Sequence, residues 1–178
     1  MAGADEAGTE PEIAPVTDDE CLLRLVWSSK DVVDGELQPT AIVSGDLAGP
    51  ERGISVDRKH IAMRSIVNAL AEYQRRNTKN DGDRDEAHIS EVSCRAVRAL
   101  ADPDTAEPMC IVEASPTDAD PDKGLLANPA HAHIASRVKR SRSKVKQLQV
   151  MLLPLFGRPS PLERYAFANE SATDGTVA

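Results

Sequence analysis

Cys21-Leu-Leu-Arg-Leu-Val-Trp27 is the first strongly apolar run of the chain, and its reading decides the fold. Extended as a strand, it places Cys21, Leu23, Leu25 and Trp27 on one face and Leu22, Arg24 and Val26 on the other. The strand is expected to be central, with its all-apolar face under a helix. A guanidinium flanked by Leu and Val cannot be left dry and unpaired. Arg24 is therefore expected to meet a carboxylate (Asp57 or Glu113), a ligand anion or water.

Two stretches supply helices to cover such a strand. Met63, Ile66, Val67, Leu70 and Tyr73 recur at helical spacing, with Asp57 as a plausible N-cap and Arg75-Arg76 in the last turn. Asn128 and Pro129 read as the cap and first position of a longer helix. Its stripe is Ile134, Val138, Val145, Leu148 and Leu152, and Pro154 ends it.

Further strands are expected at Ala41–Ser44, Ile54–Val56 and Met109–Ala114, the last bounded by Pro108 and Pro116. His88–Leu100 fits either one helix or a strand to Val92 followed by a short helix capped by Ser93. Asp34-Gly35 signals a turn. The order predicts an α+β domain, a small sheet covered by two amphipathic helices, over 20–157. Residues 1–19 read as a disordered acidic tail, and 158–178 as a loosely ordered one.

The chain has 178 residues, 40% hydrophobic and 28% charged, enough for one domain with a core. Aromatic residues are only 3%, which weakens any reading as a stacking platform for single-stranded nucleic acid. The net charge of −8 opposes nucleic acid overall, yet Arg137, Lys139, Arg140, Arg142, Lys144 and Lys146 form a basic run without an acid. That run suggests a partner protein, internal docking, or a weaker nucleic-acid contact. Cys21, Cys94 and Cys110 are widely spaced and odd in number, which favours a reducing compartment over disulfides or structural zinc. No signal-like or membrane-length apolar stretch is present, so a cytoplasmic location is expected.

Arg24, Ser55 and Glu113 fall on successive expected strands in an order that resembles the Arg-Ser-Glu arrangement of ADP-ribosyltransferases. The resemblance implies NAD as cofactor, held by Arg24 and Ser55, with Glu113 orienting the sugar for attack. A second pattern covers more of the chain: Leu22-Leu-Arg24, Gly53-Ile-Ser-Val-Asp-Arg58 and Asn128-Pro-Ala-His-Ala-His133. It resembles small bacterial proteins without an assigned activity, and implies that Arg24, Ser55, Asp57, Arg58 and His131 cluster in space.

On a helix, His131 and His133 would diverge, with His131 facing the core and His133 solvent, so no shared metal is expected. The aspartate alternations 81–85 and 118–122 lack the remaining positions of a calcium loop. The leading expectation is an accessory or interaction protein without catalysis and without a cofactor. The alternative is an NAD-using transferase.

Overall fold

A computed structural model describes residues 13–77 and 84–170. The strands are β1 Cys21–Trp27, β2 Val32–Val33, β3 Glu36–Leu37, β4 Ile54–Arg58, β5 Ala87–Ser93, β6 Cys110–Ala114, β7 His131–Ser136 and β8 Ser160–Pro161. The helices are α1 Arg64–Arg76, α2 Cys94–Arg98 and α3 Arg142–Leu152. Six strands make one antiparallel sheet in the order β6-β7-β4-β1-β5-β8, so the chain is an α+β domain. Strands β2 and β3 form a hairpin across Asp34-Gly35, where φ values of 53° and 77° match the left-handed conformations of a tight turn. Among the described residues no helix is long and apolar enough to cross a membrane.

Strand β1 is interior to the sheet, and its two faces feed two cores as the alternation predicts. Leu22 joins Val56, Val92, Val112 and Ile134 beneath Val145, Leu148 and Leu152 of α3. Leu23 and Trp27 join Ile89 beneath Val67 and Ala71 of α1, with Leu162, Tyr165 and Phe167 beside them. Each buried Leu in such a setting contributes about 1.5–3 kcal/mol relative to exposure. The second core thus has a cover that is only partly helical.

Several sequence expectations change. Ala41–Ser44 is not a strand: short 3-10 turns at Pro39–Ala41 and Ser44–Leu47 flank Ile42. The Gln149 side chain of α3 donates to the carbonyls of Pro39 and Ile42, so these groups need no neighbouring strand. Asp57 lies within β4 and caps nothing; α1 begins after Met63, without a side-chain cap.

The long C-terminal helix is two elements. His131–Ser136 is a strand, with Ala132, Ile134, Ala135 and Ser136 buried, and pairs with both β4 and β6. Only Val145, Leu148 and Leu152 of the expected stripe belong to α3, while Val138 is 52% exposed. Asn128 spends its side chain differently, accepting from the Ala130 N–H and donating to Asp57. By contrast, Ser93 ends β5 and caps α2, accepting from the Ala96 N–H at 3.4 Å.

Both tails are more ordered than expected where they are described. Val16 is buried and the Ala14 carbonyl accepts from Arg58, which also meets Glu20, just past the expected tail, at 2.7 Å with both side chains under 10% exposed. Strand β8 pairs with β5, and Arg64 donates to the carbonyls of Leu162 and Tyr165. An irregular segment shows no period, so its burial leaves no pattern in the sequence. Residues 1–12, 78–83 and 171–178, including part of both expected tails and of the 81–85 aspartates, lie outside the described residues.

Leu162→Ala is expected to cost about 2–4 kcal/mol in urea unfolding; a loss below half a kcal/mol would mean the C-terminal segment is not part of the core. Burial pushes the Glu20 carboxyl up, but bonds from Arg58 and the Thr17 amide outweigh this and hold its pKa below the ordinary 4.5. Its stabilisation is therefore present above pH 4.5 and is lost as pH falls through the lowered folded value. Glu20→Gln should cost roughly 2 kcal/mol at pH 7, and the deficit should shrink on acidification.

Candidate functional site

The site forms where β1 and β4 stop pairing. Their register holds at Leu22↔Arg58 and Leu23↔Asp57 and goes no further. Past that point Arg24 reaches across: Nη1 donates to the Ser55 carbonyl at 2.7 Å, and Nε and Nη2 donate to the Ala41 carbonyl at 3.3 and 3.2 Å. A guanidinium carries five N–H groups, so one on each terminal nitrogen is unspent. Burial draws the Arg24 pKa below the usual arginine value, opposed by the charges of Asp31, Asp46 and Asp57. No described carboxylate makes an ion pair with it, so its partners are backbone oxygens rather than Asp57 or Glu113.

Around this opening lies a cleft of about 430 Å³. Arg24, Ser55, Asp57 and His131 line it, with Asp31 and Asp46 from the connecting loops and Leu70 and Tyr73 from α1. Leu70 and Tyr73 belong to the stripe that the sequence assigns to a buried face. A second recess of about 330 Å³ shares Ser55, Leu70, Gln74 and His131 with the first and is walled by Asp118, Leu125 and Leu126. Volumes of this order match small-molecule sites.

Cross-strand register sets the polar floor. Asp57 faces His131, and Ser55 faces His133. Because i and i+2 share a face on a strand, the two histidines lie on one side of the sheet and do not diverge as a helix would require. His131 Nδ1 lies 2.5 Å from the Ser115 carbonyl; a carbonyl can only accept, so Nδ1 carries a proton and the ring is held in place by this bond. Asp57 accepts from Asn128 Nδ2 at 2.8 Å. Burial raises the Asp57 carboxyl above its usual range, against the bond from Asn128 and the charges of His131 and Arg24.

Arg58 and Glu113 do not join this group. Arg58 faces the other side of the sheet, bound to Glu20 and to the Ala14 carbonyl at 2.8 Å. Glu113 pairs in register with His133, which pairs with Ser55, so two strand spacings, about 10 Å, separate it from Ser55. Its side chain is 59% exposed, with His133 at 3.6 Å. Gly53 permits the packing beside it: a Cβ there would lie 2.9 Å from the His133 side chain.

The basic run divides. The Arg140 side chain is largely buried and donates to Ser136 Oγ at 2.7 Å, and Lys144 meets Asp104 at 2.8 Å. Arg137, Lys139, Arg142 and Lys146 stay exposed. The three cysteines are free, and burial together with Glu91 pushes the Cys21 thiol up to about 11. Among the described residues no group of three or more His, Cys, Asp or Glu could hold a metal ion. Asp120 of the second aspartate alternation is bound to Lys123 at 2.6 Å.

Sequence reasoning missed Asp31 and Asp46, which sit in loops without any periodic signal. In comparisons with protein-family models, curated proteins and solved structures, nothing matches this chain.

Since its pKa is raised, ionising Asp57 costs more in the fold than in the unfolded chain. That cost is absent below the ordinary aspartate value of 3.8 and grows as pH rises through the folded value. Asp57→Asn keeps an acceptor for Asn128 and should be more stable than the parent at pH 7, by a margin that vanishes in acid. A margin independent of pH in denaturant titrations would contradict this.

Proposed function

We propose that the cleft binds a small polar metabolite on Arg24, and that the chain acts as a cytosolic accessory domain without catalysis. The observation that carries this is the Arg24 guanidinium, which opens on a cleft of about 430 Å³ with N–H donors to spare and no ion-paired carboxylate. Planar N–H pairs of this kind suit carboxylates and other flat acceptors. The tethered His131 and the Asn128-bound Asp57 give the floor fixed hydrogen-bonding directions. The NAD-transferase reading draws no support from Glu113, whose side chain lies outside the cleft lining.

A second reading, contact with an acidic partner protein, rests on Arg137, Lys139, Arg142 and Lys146, which are exposed and form no ion pair with a described residue. Nucleic acid ranks below it, given the net charge of −8.

Thermal-shift and calorimetric titration of the full chain against a panel of small carboxylates, amino acids, nucleotides and NAD tests the first reading. A ligand at a hundred times its Kd should stabilise by about 2.7 kcal/mol. Arg24→Lys, which keeps the charge but not the fork, should weaken binding about tenfold or more. Binding indifferent to Arg24→Lys would remove the cleft from the account. Release of nicotinamide from NAD that Glu113→Ala abolishes would restore the transferase reading.

A further inference from the structure

The cleft holds opposite charges in balance, and this bears on what it binds. Arg24, Lys30 and Arg84 line it together with Asp31, Asp46 and Asp57. All three carboxylates act on Arg24 strongly enough to support its charge. A phosphate or other polyanion brought to Arg24 would add several negative charges to a cleft whose cations are already matched by carboxylates, which disfavours it relative to a ligand without net charge.

Two of those carboxylates have capacity left. Asp31 is 6% exposed; its Oδ2 accepts from the Trp27 N–H at 3.1 Å, while its buried Oδ1 has no partner among the described residues. Leaving a buried carboxylate oxygen without a donor is unfavourable. Asp46 is half-buried, and its carboxylate accepts no hydrogen bond from the described residues. Leu25, Val43 and Leu70 supply an apolar wall beside them.

Resting on the ligand-binding reading above, we propose that the ligand is a small zwitterion, an amino acid or close relative with an apolar side chain. Its carboxylate takes the spare N–H groups of Arg24. Its ammonium supplies the donors that Asp46 and, with a turn of its side chain, Asp31 lack. The apolar side chain lies against Leu25, Val43 and Leu70. A ligand carrying both charges leaves the balance of the cleft unchanged, whereas a lone anion or a lone amine upsets it.

Calorimetry on the full chain decides the matter, using leucine and the other apolar amino acids, 4-methylpentanoate (the acid without the amine), isopentylamine (the amine without the acid) and inorganic phosphate. At least one amino acid should bind, with each half-analogue at least about tenfold weaker and phosphate without measurable heat. Asp46→Asn removes a carboxylate that bonds nothing in the fold, so the variant should remain folded. It should weaken the amino acid about tenfold and strengthen 4-methylpentanoate. If the lone acid or phosphate binds as tightly as the amino acid, the zwitterion is overturned while the cleft reading stands. If no amino acid binds but another metabolite of the wider panel does, the zwitterion alone falls; if nothing binds, both fall.

Discussion

The guanidinium of Arg24 stands where β1 and β4 part, and the architecture around it follows from where that charge can go. In an apolar strand it cannot be packed dry, and continuing the ladder beyond Leu23↔Asp57 would enclose it. The strands separate instead, and the guanidinium takes the carbonyl of Ser55 on one side and that of Ala41 on the other. Ala41 is held in place by a 3-10 turn whose own carbonyls bond Gln149 of α3. The opening that remains is the cleft, so one side chain both bridges a gap in the sheet and lines the recess beside it.

The same device recurs through the molecule. Arg58 bonds the carbonyls of Ala14 and Pro15, Arg98 those of Val16 and Val112, and Arg64 those of Leu162 and Tyr165. Irregular segments carry carbonyls that no ladder or helix satisfies, and a guanidinium with five donors can serve several at once. Such staples attach the terminal segments to β4, α1 and α2, alongside the burial of Val16, Leu162, Tyr165 and Phe167. A carboxylate can neutralise such a staple where it is buried, as Glu20 does for Arg58.

Much of the site was legible as a list and not as an arrangement. Arg24 stood out as a charge in an apolar strand, whereas Ser55, Asp57 and His131 were grouped with it only through the resemblances to known patterns. Arg58 was grouped in the same way, yet alternation sends it to the opposite face from Asp57. Asp31 and Asp46 gave no sign of their place, since a loop residue acquires a role only when the loop is folded against something. Asn128 showed a helix-cap signature because Asn before Pro is what a cap needs, but the same amide serves a turn equally well and here also binds Asp57.

What the sequence alone determined is local: the two-faced strand Cys21–Trp27, the turn at Asp34-Gly35, and the Ile66-Val67 part of the α1 stripe, whose expected first member Met63 lies before the helix and is exposed. Each rests on a period or on a residue whose backbone and side-chain preferences act within a few positions. Tertiary structure decided the rest. His131–Ser136, His-Ala-His-Ile-Ala-Ser, is short and carries a single large apolar residue, so it fits a helix start as well as a strand; pairing with β4 and β6 made it a strand and turned two diverging histidines into neighbours on one face. It also decided that Arg24 would be met by carbonyl oxygens, because those groups belong to residues 17 and 31 positions away, and no local pattern announces a backbone oxygen that distant folding leaves free.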